Sequence, residues 1–142
     1  MSKVKIYQTK FVKLDDAGNF IQRGNCLAAN IATLLGLTIW DVPPFEEQIQ
    51  DGYKSVFNWL ESKGYQLEII YHKPEPKDLI DMDGYYIACG KSPRNSKIYH
   101  GVIHLNGEFY HDPHPDDKGI ASEEYYLIIH KIFPSLTEDE LK

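Results

Sequence analysis

The run from Asn25 to Leu35, Asn-Cys-Leu-Ala-Ala-Asn-Ile-Ala-Thr-Leu-Leu, constrains the fold more than any other part of this chain. Leu27, Ile31, Leu34 and Leu35 recur at helical spacing, the alanines let another element approach closely, and Gly36 ends the run. A helix this apolar must be buried, so the chain has to supply a layer that covers it. Cys26 falls in its first turn. There the helix dipole and free backbone N–H groups favour negative charge, as a nucleophilic thiol requires.

The rest of the chain reads as that covering layer. Val4 to Val12 reads as a first strand, and Asp15 to Asn19 as a loop. Asp41-Val42-Pro43-Pro44-Phe45 is a rigid connector. A second helix is expected over about Glu46 to Lys63, with Ile49, Tyr53, Val56, Phe57 and Leu60 on one face. Glu46 and Glu47 would sit in its first turn, and Gly64 would close it. Strands are expected at Tyr65–Tyr71, Gly84–Cys89, Ile98–Leu105, Glu108–Asp112 and Tyr125–Phe133. Connections span His72 to Asp83, Gly90 to Lys97 and Pro113 to Glu123, and residues from about 135 form an acidic mobile tail. Helices first and antiparallel strands afterwards indicate an α+β class, with N-terminal helices on an antiparallel sheet in a single domain over residues 1–142.

The formal charge is -6 with no long basic run, which disfavours nucleic-acid binding. No apolar stretch reaches membrane-spanning length, and the Met1-Ser2-Lys3-Val4-Lys5 start lacks an apolar signal core. A cytoplasmic location with no membrane association is expected. The two cysteines, Cys26 and Cys89, then read as free thiols, and no CxxC pair suggests a zinc site.

A nucleophilic cysteine needs an imidazole to take its proton and a group to orient that imidazole. His100, His104, His111 and His114 cluster in sequence, with Asp112 among them. Asn106-Gly107 is a strong hairpin signal between the strands that carry His100 and Asp112. A tight two-residue turn without a bulge would put these two residues on opposite sheet faces. The triad therefore requires a one-residue shift, either a longer loop with a left-handed Gly107 or a bulge.

A cysteine opening a buried helix, then His-x-Val-Ile on a strand, then Asp-Pro after a short hairpin resembles the papain-like cysteine peptidase superfamily. The bacteriocin-leader peptidases and the Josephin and ovarian-tumour deubiquitinases offer the nearest echoes. Gly24-Asn25-Cys26-Leu27 is similar to the ovarian-tumour nucleophile motif. The resemblance spans about residues 20 to 113 and implies a papain-like fold, a thiol hydrolase activity and no cofactor. It implies Cys26 as nucleophile, His100 as general base and acid, and Asp112 as orienting carboxylate. The substrate would be a peptide, protein or small acyl compound, cleaved at an amide, isopeptide or related acyl bond. In papain and the bacteriocin-leader peptidases a glutamine about six residues before the cysteine serves the oxyanion, and Phe20 stands there in this chain. Gln22 and Gln8 are the alternatives, with the Cys26 N–H as second donor. Asn25, Trp40 and His114 are the substrate-binding candidates.

Plainer readings stand beside these. Cys26 can be a small core residue, as Cys89 is read to be. Asp112 before Pro113 can simply end a strand. His100, His104 and His111 could converge on a metal, although their spacing matches no strong zinc motif. The loop Lys91-Ser92-Pro93-Arg94 could meet an anionic group or be solvated. His72 and His130 read as incidental. A binding module on the same scaffold is the competing function.

Overall fold

A computed structural model describes residues 3–47 and 52–132. Two short strands, β1 (Lys13–Leu14) and β2 (Phe20–Gln22), form a separate ribbon ahead of helix α1 (Cys26–Leu35). Helix α2 (Lys54–Ser62) follows. Then come β3 (Tyr65–Ile70), β4 (Tyr85–Lys91), β5 (Tyr99–Leu105), β6 (Glu108–His111) and β7 (Tyr125–Lys131). These last five strands make one antiparallel sheet in the order β3-β7-β4-β5-β6. The α+β class expected from the sequence is what forms. No helix among the described residues is long and apolar enough to cross a membrane.

The sheet has a core on each face, which explains why its inner strands lack clean alternation. Residues Ile31, Ala32 and Leu34 of α1 and Val56 and Leu60 of α2 pack on Ile87, Cys89, Ile103, Leu127 and Ile129. On the other face Tyr86, Ala88, Val102, Tyr126 and Ile128 lie under Leu79 and Ile120. Leu79 belongs to a 3₁₀ turn over Pro76–Met82. A strand covered on both sides reads as an almost continuous apolar run, as Tyr85–Cys89 does.

Two expectations are corrected. Residues Val4 to Val12 form no strand. Their backbone is held by side chains and loops instead: Ile6 N–H donates to Thr33 Oγ1 (2.9 Å), and Gln8 N–H to the Pro113 carbonyl (3.0 Å). The N–H groups of Thr9 and Lys10 both donate to Asn25 Oδ1. A segment whose donors are taken this way has no free edge for a ladder. Helix α2 starts at Lys54, so Glu46 and Glu47 are not its first turn. The Ile49 position and the expected mobile tail lie outside the described residues. Helix α1 itself ends as expected, with Gly36 left-handed at φ 70°.

The hairpin resolves the parity question. Leu105 pairs with Glu108 across Asn106 (φ 52°) and Gly107 (φ 88°), a tight two-residue turn of the kind Asn-Gly favours. His104 then pairs with Phe109, but Ile103 pairs with His111, so Tyr110 is an extra residue on β6. This bulge is the required one-residue shift. It turns Asp112 onto the sheet face of His100.

Candidate active site

Four features bring the sequence candidates together. First, α1 docks on β5 beside His100. Asn30 lies one turn after Cys26, on the same helix face, and its Nδ2 donates to the Gly101 carbonyl at 2.9 Å. A side chain at Gly101 would intrude here, because a Cβ would sit 3.2 Å from Ile87 and 3.4 Å from Asn30 Nδ2. Glycine thus lets the helix approach the strand next to the histidine.

Second, His100 and Asp112 form a buried pair. His100 Nε2–H donates to Asp112 Oδ1 at 2.7 Å, with side-chain exposures of 5% and 0%. The remaining carboxylate positions are filled by backbone donors. His114 N–H donates to Oδ1 at 2.9 Å, and Gly119 N–H to Oδ2 at 2.8 Å. Burial works against ionisation of Asp112, but these bonds outweigh it and hold the carboxyl below its ordinary range. The pairing commits Nε2 as donor, which leaves Nδ1 as the nitrogen able to accept a proton.

Third, a cleft of about 550 Å³ is lined by Cys26, His100, His114 and Gln8 together with Phe11, Val12, Leu14 and Phe20. Its size suits a small-molecule or peptide segment.

Fourth, two cleft-lining residues, Cys26 and Gln8, carry N–H groups without a partner among the described residues. No hydrogen bond among the described residues uses the Cys26 N–H. Gln8 lines the cleft, with its Nε2 bonded to the Lys10 carbonyl at 2.8 Å and 3.3 Å from the position of a Gly24 Cβ. That bond uses one of the two amide hydrogens and leaves the other.

The remaining candidates fall elsewhere. Gln22 Nε2 donates to the Phe11 carbonyl at 2.8 Å, and the residue does not line the cleft. Asn25 is buried and spends its amide on Thr9 and Lys10, so it anchors the N-terminal segment rather than a substrate. Trp40 is 83% exposed on a 3₁₀ turn away from the cleft residues. His114 does line the cleft, against the Phe11 ring at 4.9 Å.

The histidines weighed as metal ligands have separate partners. His100 pairs with Asp112, His104 Nδ1 lies 3.3 Å from the Tyr86 hydroxyl, and His111 Nε2–H donates to the Ile6 carbonyl at 2.7 Å. No group of three or more potential metal ligands comes together among the described residues. His130 is not idle: it bridges Glu68 of β3 (2.9 Å) and Asp81 of the 3₁₀ turn (3.0 Å), and it does not line the cleft.

Glu46 is the site residue that sequence reasoning placed elsewhere. Its Oε2 accepts the Leu27 N–H at 2.9 Å, so a carboxylate already occupies the start of α1. Its Oε1 is buried without a partner. Burial pushes the Glu46 carboxyl up to about 7, despite the backbone N–H groups it accepts from. No spacing in the sequence links residue 46 to residue 27. Only the tertiary path through Pro43 and Pro44 brings them together.

This residue changes the electrostatics expected for Cys26. Burial and the Glu46 carboxylate push the thiol up to about 12, although the N–H groups of Gly101 and Leu27 favour the thiolate. The dipole of α1 serves Glu46 first. Cys26 is therefore held as the neutral thiol. Cys89 is buried in β4 and its thiol is pushed up by burial too.

A pH-dependent consequence follows. Glu46→Gln keeps an acceptor for Leu27 but removes the charge beside the sulfur. At pH 8.5, above the Glu46 titration, alkylation of Cys26 is expected to be roughly tenfold faster in the variant. At pH 6 Glu46 is largely protonated in the wild type, so the two rates converge. A constant ratio across this range would exclude Glu46 as a contributor to the raised thiol pKa. The readout is iodoacetamide incorporation, followed by peptide mass spectrometry.

No protein-family model, curated protein or solved structure matches this chain.

Proposed function

We propose that this chain is a cysteine hydrolase acting on an amide, isopeptide or related acyl bond, with a papain-like arrangement of Cys26, His100 and Asp112. The observation that carries this reading is the buried His100–Asp112 pair opening onto the same cleft as Cys26, with α1 fastened to Gly101 beside it.

In the first step His100 Nδ1 takes the thiol proton as Cys26 sulfur attacks the acyl carbon. The carbonyl electron pair moves to oxygen, facing the Cys26 N–H and the free amide hydrogen of Gln8. Asp112 holds the imidazole tautomer and stabilises the imidazolium. The imidazolium then protonates the leaving group as the old acyl bond breaks. Water, deprotonated by the same nitrogen, attacks the thioester and releases the acid with the thiol restored. The high thiol pKa fits proton transfer at the moment of attack rather than a standing thiolate.

The raised thiol pKa also favours the competing reading of a binding module, which predicts an unreactive Cys26. Exposure to p-nitrophenyl acetate separates the two. A hydrolase should carry a thioacetate on the Cys26 peptide during turnover, and Cys26→Ser should carry none. An unmodified Cys26 peptide with no nitrophenol release would end the hydrolase reading.

A further inference from the structure

The cleft has the opposite charge balance to the chain. The protein has a formal charge of -6, yet Arg23, Arg94 and Lys97 line the cleft and Glu46 is its one lining carboxylate. Two of these cations sit close in sequence to the proposed pair. Arg23 precedes Cys26 by three residues, and Lys97 precedes His100 by three. Neither has a carboxylate within ion-pair distance among the described residues.

Arg23 is held by stacking, its guanidinium 4.1 Å from the centre of the Phe20 ring. A face-stacked guanidinium keeps its N–H edge free for an anion. Arg94 is different, because its Nη1 donates to both oxygens of Asp116 at 2.9 Å, which neutralises it and braces the loop. Glu46 counts against an anion, but its Oε2 is bound to the start of α1. Around the cations stand Phe11, Val12, Leu14 and Ile98. Two unpaired cations lining a largely apolar cleft concentrate anions there.

We infer that the substrate carries a carboxylate close to its scissile acyl group, beside an apolar side chain: an acidic peptide segment gripped between Arg23 and Lys97. This assignment rests on the proposed thiol chemistry for its geometry, but its test does not depend on that chemistry alone.

The first arm compares iodoacetate, an anion, with neutral iodoacetamide at Cys26, each normalised to free cysteine. The normalised preference for iodoacetate should be roughly tenfold, fall with added salt, and vanish in the Arg23→Gln/Lys97→Gln double variant. A preference equal to that of free cysteine, with Cys26 still modified, would overturn the anion grip and leave the thiol chemistry standing. The second arm needs no reactive thiol. Cys26→Ser protein is titrated by NMR with N-acetyl-Glu-Phe-amide and with N-acetyl-Gln-Phe-amide. Roughly tenfold tighter binding of the glutamate peptide supports the grip even if Cys26 proves inert. Equal binding overturns it.

Discussion

Replacing Asp112 with alanine is expected to destabilise the fold by about 3–5 kcal/mol, because it strips the partner from a buried pair and from two backbone donors. The His100 Nε2–H, the His114 N–H and the Gly119 N–H all point at this carboxylate. None of the three makes a second hydrogen bond as donor among the described residues, and His100 is only 5% exposed. The loop after β6 is tied back through Gly119, so it should loosen as well. The pH dependence gives a second signature. Asp112 is held below the ordinary carboxyl range in the folded state, so its stabilisation is fully present above about pH 4. It is lost as falling pH protonates the folded carboxyl, and the alanine variant should lack this acid limb. Urea unfolding at pH 7 and at pH 3 reads both effects. A loss under about 1 kcal/mol at pH 7 would show that water replaces the carboxylate, and the pair would no longer count as a rigid part of the site.

Gly90→Ala is expected to cost about 3 kcal/mol, for a steric reason. Gly90 pairs with His100 across β4 and β5. A Cβ there would overlap the Ser122 carbonyl oxygen and come within 2.6 Å of its carbon, so backbone must move. Ser122 cannot shift freely. Its Oγ accepts the Lys91 N–H at 3.1 Å, and the neighbouring Ala121 N–H donates to the Lys91 carbonyl at 2.8 Å. The same loop carries Gly119, whose N–H holds Asp112. The substitution should thus reach the site at second hand, with faster exchange of the Gly119 amide proton as well as a lower unfolding midpoint. A midpoint equal to wild type would mean that the loop has room the packing does not show.

Much of this architecture is written locally. The Leu27–Leu35 run specifies a buried helix because nothing polar breaks its circumference except Asn30 and Thr33, and both of these are used internally. Asn106-Gly107 specifies its turn because few other pairs accept two positive φ angles. The bulge at Tyr110 has no such signal. It depends on where β6 can still bond to β5 while Tyr110 reaches Tyr85, whose ring lies 5.1 Å away. The triad reading therefore required a shift that the sequence could not locate.

Long-range partners were the hardest to read. Gln8 and Gln22 are chemically equivalent in sequence. Only the fastening of residues 4–12 to Asn25, Thr33 and Pro113 brings Gln8 to the cleft and leaves Gln22 on the ribbon. Glu46 looked like an ordinary first-turn acid, because its periodic neighbourhood suggested a longer second helix. It accepts the Leu27 N–H at the start of α1, and with burial, the larger cause, it reverses the expected direction of the Cys26 pKa. In the proposed mechanism, that reversal moves the burden of activation from the helix dipole to His100.

The dependence of Cys26 on His100 is therefore the most direct test. The rate of Cys26 acetylation by p-nitrophenyl acetate is measured in wild-type protein and in His100→Ala, with Cys89 as internal reference and unfolding curves confirming that the variant is folded. Loss of the general base should slow Cys26 by about 10²–10⁴-fold and leave the buried Cys89 unchanged. Equal Cys26 rates in the two folded proteins would contradict the proposed mechanism, because the thiol would then react without the imidazole that lines the same cleft.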